Sequence, residues 1–283
     1  MSTRRQFLLA TASVSAFPSL AFAAAPSGFA ALEEGLDGQI GVYAIDTGSG
    51  KEVAWRADEA FPMCSTFKAA LAASLLERSV KNPKLMQKRI RYDKRVLLNH
   101  CPITEKHLHD GMPIEELCAA AVAYSDNAAA NLLLKEIGGP AQLTAFLRSI
   151  GDQTTRLDRW EPELNTSIPG DLRDTTTPRA MTATLRKLAL DKALPPAQQA
   201  RFQEWLVGNT TGDERIRAGV PSGWKVGDKT GTGPYGATND IGVIWPAGRA
   251  PIVLSIYLRR NQPKADNPVP LLAAATRLVL EQL

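Results

Sequence analysis

The chain has 283 residues, of which 44% are hydrophobic and 22% charged, and its formal net charge is +4. This length predicts one large domain or two interleaved lobes, and the ordinary composition excludes a disordered or fibrous chain. Of the 33 basic residues, Arg4 and Arg5 lie in residues 1–24, which leaves 31 against 29 acidic residues in the rest. The charge therefore indicates neither a nucleic-acid partner nor a polybasic membrane surface.

Residues 1–24 have the pattern of an export signal and not of a folded element. Arg4 and Arg5 precede an apolar run of small residues that reaches about Ala24 and contains no acidic residue. This pattern predicts a cleaved secretory signal, and the paired arginines indicate the twin-arginine type. A membrane anchor is the less favoured alternative, because the run is short and contains Pro18. We therefore expect a periplasmic protein whose mature form has no stable membrane insertion.

Three cysteines, Cys64, Cys101 and Cys118, allow at most one disulfide. Cys118 lies in an alanine-rich helical pattern and is predicted to be a small buried apolar residue. Because a chain of this length can build its own hydrophobic core, we expect a fold that does not depend on a disulfide.

The predicted elements place strands towards both ends of the chain and helices in its middle. Alternating patterns predict strands over residues 39–46, 51–56, 224–231, 237–245 and 251–259. Helical periodicity predicts helices over residues 26–36, 65–78, 113–124, 127–137, 140–149, 178–191, 196–207 and 267–283. The helix at 65–78 is apolar on nearly all sides, which is typical of a buried central helix.

This order of elements favours one antiparallel sheet, covered by the terminal helices, with an all-helical lobe inserted into it. We assign residues 25–60 and 210–283 to an α/β lobe and residues 61–209 to the all-α lobe. Because ligands often bind between lobes, we expect the chemistry to lie in the cleft between these two.

A long loop over residues 152–177 has no clean periodicity and is rich in acidic residues, arginine and proline. Structureless loops of this length in compact domains are usually functional. Trp160, Pro162 and Leu164 surround Glu161, and they predict that this part of the loop is packed.

Ser65 and Lys68 are a candidate nucleophile and its base. They lie three residues apart at the start of the predicted central helix, on one face. A serine hydroxyl needs a base within hydrogen-bond reach, and a desolvated lysine can act as one. The same spacing also occurs by chance, as an N-cap serine followed by a solvated lysine. Other residues must therefore decide between the two interpretations.

Two further motifs could supply the partners of this pair. Ser125-Asp126-Asn127 lies between two predicted helices, and Lys229-Thr230-Gly231-Thr232 ends a predicted strand. Each has a simple structural interpretation, as a helix cap or as a turn after a strand. Together and in this order, however, the three motifs resemble those of the penicillin-recognising serine enzymes.

The resemblance is specifically to the class A β-lactamases and covers residues 27–283. Glu161 and Asn165 match that family's Glu-x-x-Leu-Asn element, inside a catalytic loop at 156–174. Other matching segments are residues 104–107, 126–131, 174–178 and 212–217. The resemblance implies an α/β (α+β) fold, with a five-stranded antiparallel sheet, flanking N- and C-terminal helices, an inserted all-α lobe and an active site in the cleft.

For catalysis, the resemblance implies that Ser65 attacks the carbonyl of a β-lactam such as a penicillin or cephalosporin. Either Lys68, or Glu161 through a water, takes the proton of Ser65, and the sequence leaves this choice open. Ser125 passes a proton to the leaving nitrogen. Glu161 and Asn165 then hold the water that hydrolyses the acyl-enzyme, so the protein confers β-lactam resistance.

For substrate binding, the resemblance implies that Lys229, Thr230 and Arg215 bind the β-lactam carboxylate. Asn127 and the carbonyl of Thr232 hold the acylamide side chain. Gly231 belongs to the same motif, and backbone N–H groups of residues 65 and 232 hold the oxyanion. His100 lies at the mouth of the site. A monomer that needs no cofactor is expected, with the small β-lactam as its partner.

Two other functions stay open at this point. A cell-wall DD-peptidase would share the three motifs but would lack the deacylating pair Glu161 and Asn165. A non-hydrolytic β-lactam sensor would need a membrane link, and no apolar run of the required length follows residue 24.

A metal site is the less favoured interpretation of the histidines. His100, His107 and His109 lie within ten residues, near Cys101, and such a cluster could bind zinc. His107 belongs, however, to one of the segments that resemble the serine family, and no further histidine exists to complete a second site. We therefore expect no metal.

Overall fold

The computed structural model describes residues 27–283, so the predicted signal at residues 1–24 lies outside the described residues. Within the described range, no helix is long and apolar enough to cross a membrane.

A five-stranded antiparallel sheet unites the two ends of the described chain, as predicted. Its strands are β1 (Gly38–Asp46), β2 (Glu52–Trp55), β3 (Lys225–Thr232), β4 (Thr238–Trp245) and β5 (Ile252–Arg260), in the order β2-β1-β5-β4-β3. Strand β1 pairs along its full length with β5, from Gly38 opposite Arg260 to Asp46 opposite Ile252. The predicted strands agree with these bounds to within about one residue at each end, because alternating apolar residues and the turns that follow them are strong local signals.

Nine helices surround the sheet in the described residues. They are α1 (Ser27–Glu33), α2 (Phe67–Lys81), α3 (Ile114–Ala123), α4 (Asn127–Ile137), α5 (Pro140–Ser149), α6 (Pro178–Ala189), α7 (Pro196–Val207), α8 (Ile216–Gly219) and α9 (Pro270–Gln282). One face of the sheet packs against α1 and α9 through residues such as Phe29, Ile40 and Leu272. The other face packs against α6 and joins the core of the helical part.

Helix α2 is the central helix that its apolar sequence predicts. Of its 15 residues, 11 are buried, and it contacts α3, α4, α5, α6 and α7. It begins at Phe67 and not at Ser65, because Cys64–Thr66 form a separate 3-10 turn. Three other 3-10 turns lie at Lys94–Val96, Thr104–His107 and Glu163–Asn165.

The first and last helices are shorter than predicted. Helix α1 ends at Glu33 because Gly35 and Asp37 have φ values of +74° and +46°, which a right-handed helix cannot contain. Helix α9 begins only at Pro270, since proline fits the first helical turn. Two pairs of two-residue strands were not predicted, because so few residues carry no periodicity: Phe61–Pro62 with Thr175–Thr176, and Arg89–Ile90 with Met112–Pro113.

The cysteines and the domain boundaries complete the comparison with the sequence. Cys64, Cys101 and Cys118 are free and buried, and Cys118 lies in α3 as predicted. The division into an α/β lobe (25–60 and 210–283) and an all-α lobe (61–209) stays a proposal.

Candidate active site

The sheet holds the turn that carries Ser65. Thr66 donates from its hydroxyl to the Met63 carbonyl at 2.9 Å, and its hydroxyl is 3.0 Å from that of Tyr257 in β5. Asn239 in β4 donates from Nδ2 to the Met63 carbonyl at 3.1 Å. The turn before α2 is therefore fixed by two strands, which places Ser65 at the N-terminal end of the central helix.

Gly231 lets strand β3 approach this turn closely. A Cβ atom at Gly231 would lie 2.7 Å from the Met63 carbonyl oxygen and 3.2 Å from both Cys64 Cβ and Thr66 Cγ2. Because the nearest of these atoms is backbone, a larger residue at position 231 could be accommodated only by moving the turn that carries Ser65.

Lys68 lies one helical turn beyond Ser65 and is completely buried. Its Nζ donates to the Ser125 carbonyl at 2.8 Å and to Asn127 Oδ1 at 2.5 Å. Glu161 Oε1 lies 3.0 Å from the same nitrogen. Lys68 Nζ therefore makes two hydrogen bonds and one ion-pair contact, while Glu161 Oε1 itself has no hydrogen bond within residues 27–283.

Helix α4 holds the backbone of Glu161 from both sides. Asn131 accepts from the Glu161 N–H at 3.0 Å and donates to the Glu161 carbonyl at 2.9 Å. The Glu161 side chain accepts a hydrogen bond from Asn165 Nδ2. Asn165 Oδ1 is buried and has no hydrogen-bond partner among the described residues.

The loop that carries Glu161 closes on itself through Asp174. This buried carboxylate accepts from the N–H groups of Asp158 and Arg159 at 2.7 and 2.9 Å, and it pairs with Arg159 Nε at 2.5 Å. Glu161 and Leu164 are buried in this part of the loop, whereas Trp160 has an exposed fraction of 39%. The contacts of Asp174 therefore help to hold the loop in place.

Ser125 lies between the two buried lysines. It precedes α4, whose N-cap is Asp126, and it has a φ of +58°. Lys229 Nζ donates to Ser125 Oγ at 3.1 Å, while Lys68 contacts the Ser125 carbonyl. Burial, and then the neighbouring charge of Lys68, lower the pKa of Lys229 well below its usual value.

Arg215 reaches the end of strand β3 from the preceding segment. Its Nη1 donates to the carbonyls of Gly231 at 2.9 Å and Asn239 at 2.7 Å, and its Nη2 donates to Thr232 Oγ1 at 2.7 Å. It is nearly buried, and burial lowers the pKa of its guanidinium. Arg215 therefore fixes the strand end that lines the cavity.

A buried carboxyl pair lies behind the same strand. Asp228 accepts from Arg217 Nε at 2.6 Å and from Asn209 Nδ2 at 2.5 Å. Asp240 accepts from the Ile216 N–H at 3.1 Å. Burial raises the pKa of Asp240 well above its usual value, and the adjacent Asp228 raises it further.

A cavity of about 260 Å³ joins these groups. Its lining residues are Ser65, His100, Ser125, Asn127, Asn165, Thr211, Arg215, Thr230, Gly231 and Thr232. Lys68, Glu161 and Lys229 contact members of this lining, so the structure brings together all the residues that the sequence predicts for the site. His100 lies at the edge, where its Nε2 is 2.9 Å from the Tyr124 carbonyl oxygen.

Asn131, Asn239 and Thr211 belong to the site, but sequence reasoning gave them no role. Asn131 lies four residues after Asn127 on the same helix, and this spacing could have indicated a shared face. Asn239 carries no such local signal, because the Met63 carbonyl that it contacts lies far away along the chain, and nothing in the sequence indicates that Thr211 meets Thr230.

The fold and the site together define a serine hydrolase of the penicillin-recognising type. The comparisons with known proteins agree, since residues 27–283 match the model of the β-lactamase enzyme family. The chain belongs to this family, and within it to the class A serine β-lactamases. It therefore hydrolyses β-lactams and confers β-lactam resistance, which disfavours the DD-peptidase and the sensor.

Several relatives and solved structures are similar over most of their length. The carbapenem-hydrolyzing β-lactamase KPC of Klebsiella oxytoca is 59% identical over 256 residues, which cover 90% of this chain and 87% of the relative. β-Lactamase CTX-M-8 of Citrobacter amalonaticus is 51% identical over 252 residues, or 89% and 87% of the two chains. The crystal structure of a β-lactamase from Desulfarculus baarsii DSM 2075 matches with a TM-score of 0.90 and 52% identity, covering 91% and 96%.

The close approach at Gly231 gives a testable prediction. We expect Gly231→Ala to lower kcat/KM by about 10²-fold, because displacing the Ser65 turn by even about 1 Å disturbs the geometry of attack. Steady-state hydrolysis of a penicillin measures this. Gly242→Ala, on the neighbouring strand, is the control, since its Cβ would lie no closer than 3.2 Å to its neighbours. Equal activity of the two variants would contradict the prediction.

Proposed function

We propose that the chain is an exported β-lactamase that opens penicillins and cephalosporins through a Ser65 acyl-enzyme. A water activated by Glu161 then frees Ser65. The observation that carries this proposal is the contact of Glu161 with both Lys68 and Asn165, beside the cavity that Ser65 lines. A carboxylate in this position can serve the second half of the reaction, which distinguishes turnover from simple acylation.

Acylation begins with the removal of the Ser65 proton. Lys68 donates to the Ser125 carbonyl and to Asn127 Oδ1 and lies beside Glu161, and as an ammonium it cannot accept a proton. It becomes a base only after passing a proton to Glu161 Oε1, 3.0 Å away. The contacts therefore support Glu161 as the final proton acceptor, either through Lys68 or through a water. The backbone N–H groups of Ser65 and Thr232 stabilise the oxyanion, and donors of this kind contribute about 10²–10³-fold in rate.

The leaving nitrogen takes its proton from Ser125, and the proton held by Glu161 returns to Ser125 by way of Lys68, which contacts both residues, so that Glu161 is a carboxylate again before deacylation. Lys229 donates to Ser125 Oγ at 3.1 Å, which leaves the hydroxyl hydrogen of Ser125 free for the nitrogen of the opened ring. Asn127, whose Oδ1 is held by Lys68, and the Thr232 carbonyl bind the acylamide side chain.

The β-lactam carboxylate binds at the end of strand β3. Lys229 supplies a buried positive charge, and Thr230 supplies a hydroxyl on the lining of the cavity. Arg215 adds a second cation and fixes Thr232. A carboxylate placed here is bound by charge-assisted hydrogen bonds, which are about twice as strong as neutral ones.

Deacylation needs a water between Glu161 and the ester. Glu161 accepts from Asn165 Nδ2, and Asn165 Oδ1 has no partner in residues 27–283. One carboxylate and one free amide oxygen can together accept both hydrogens of a water and aim its lone pair at the ester carbonyl.

Replacement of Glu161 tests this step. We expect Glu161→Gln to form an acyl-enzyme with a penicillin and to hydrolyse it more slowly by about 10²-fold or more, because a general base contributes this much. Mass spectrometry of the intact protein should then show a persistent adduct, which is absent in Ser65→Ala. Glu163→Gln, exposed in the same loop, is the matched control and should turn over without an adduct. Normal turnover by Glu161→Gln would exclude the proposed role.

The pH dependence tests the carboxylate site. Because the pKa of Lys229 lies well below its usual 10.5, its ammonium loses its proton at a lower pH than that of an exposed lysine. Binding of the carboxylate then weakens as the pH rises, so we expect kcat/KM to fall with an apparent pKa below 10.5. Lys229→Arg should move this fall to higher pH, since a guanidinium stays protonated. If kcat/KM falls at the same pH in Lys229→Arg as in the unchanged protein, Lys229 is not the group that titrates.

We propose that residues 1–24 are a twin-arginine signal that exports the protein. Replacing both Arg4 and Arg5 by lysine should leave the protein in the cytoplasm, because paired arginines are what a twin-arginine signal requires. Activity assays on periplasmic and cytoplasmic fractions measure the distribution. Unchanged periplasmic activity of the double variant would show that another route exports the chain.

A further inference from the structure

A chain of hydrogen bonds runs from the cavity to the buried carboxylate of Asp228. Alternate residues of β3 point to opposite faces, so Asp228 and Thr230 share the face opposite to Lys229. The preceding loop presents Asn209 and Thr211 to this face with the same two-residue spacing. Asn209 Nδ2 donates to Asp228 Oδ2 at 2.5 Å, and the hydroxyls of Thr211 and Thr230 are 2.5 Å apart.

Gly212 and Arg217 fix the loop that carries Asn209 and Thr211 against strand β3, at Asp228. A Cβ atom at Gly212 would lie 1.9 Å from Asp228 Oδ2, so only glycine allows this approach. Arg217 Nε donates to the other oxygen of Asp228 at 2.6 Å. Asp228 accepts from Arg217 at one oxygen and from Asn209 Nδ2 at the other, so the amide of Asn209 presents Oδ1 to Thr211.

This orientation sets the direction of the hydroxyl chain. Thr211 donates from Oγ1 to Asn209 Oδ1 at 2.8 Å, and its N–H donates to the same oxygen at 3.2 Å. A threonine hydroxyl has one hydrogen. The contact between Thr211 and Thr230 therefore uses the hydrogen of Thr230, which then points at Thr211 and not at a ligand.

A carboxylate in the cavity requires the opposite direction. It accepts hydrogen bonds and donates none, so Thr230 must turn its hydrogen towards it. Thr211 must then donate to Thr230. Asn209 Oδ1 loses one hydrogen bond but keeps that of the Thr211 N–H, so the reversed chain leaves no buried polar atom without a partner.

We propose that Thr211 is a positioning residue for the substrate carboxylate and acts through Thr230 by reversing the direction of this hydroxyl chain. The inference rests on the proposed binding of the carboxylate by Lys229 and Thr230. Thr211 is half-buried on the lining of the cavity. In the reversed chain its donated hydrogen fixes the rotamer of the Thr230 hydroxyl and strengthens the bond that this hydroxyl gives to the carboxylate.

The test compares Thr211→Val, which keeps the shape and removes the hydroxyl, with Thr211→Ser, which keeps the hydroxyl. Each is assayed with a penicillin and with its methyl ester, in which the carboxylate charge is absent. We expect Thr211→Val to lower the ratio of kcat/KM for acid over ester by about 3- to 10-fold, the effect of one hydrogen bond. The loss should lie mainly in KM, and Thr211→Ser should restore the ratio.

Thr230→Val separates this inference from the proposed function. If Thr230→Val lowers the acid-to-ester ratio and Thr211→Val does not, the carboxylate site stands and the role of Thr211 is excluded. If neither variant lowers the ratio, the carboxylate site itself is wrong, and the inference fails with it. If Thr211→Val lowers kcat/KM equally for the penicillin and for its methyl ester, Thr211 has only a structural role. Thermal unfolding of each variant, with Thr211→Ala as a second hydroxyl deletion, excludes misfolding as the cause.

Discussion

The buried charge of Lys68 is the constraint on which the site depends. Moving an isolated ammonium from water into a protein interior costs several kcal/mol unless acceptors surround it. Helix α2 gives Lys68 an apolar position with no exposure. Its two hydrogen-bond acceptors, Ser125 and Asn127, and its ion-pair partner Glu161 come from elsewhere. The start of α4 and the long loop must therefore meet α2 at this point, and this meeting places the proposed catalytic groups around Ser65.

A second buried lysine makes the site an anion receptor. Lys68 contacts the carbonyl of Ser125 and Lys229 contacts its hydroxyl, so one serine separates two cations. Glu161 offsets the first of these charges. The second has no carboxylate at hydrogen-bond distance among the described residues, and burial, followed by the charge of Lys68, lowers the pKa of Lys229. A substrate carboxylate supplies the missing charge, so binding the substrate also stabilises the protonated state of Lys229.

The sequence predicted the elements and the proposed catalytic residues better than the contacts that support them. Strand and helix periods, caps and turn residues are local, and the three motifs identified the family. Asn239 contacts the Met63 carbonyl 176 residues earlier in the chain, and no local pattern encodes such a contact. The closure of the long loop is a second example, because Asp174 accepts from Asp158 and Arg159, 16 and 15 residues earlier.

The alternation of β3 divides the support of the carboxylate site between two parts of the structure. Lys229 faces the helical side and is coupled to Ser125 and Lys68. Thr230 faces the loop and is coupled through Thr211 and Asn209 to Asp228. A carboxylate held by both residues is therefore bound to a charge that belongs to the catalytic centre and to a hydroxyl whose direction the loop sets. Strand β3 therefore serves both the binding of the substrate carboxylate and the reaction. Substitutions in residues 209–217 can change carboxylate binding without altering the catalytic groups.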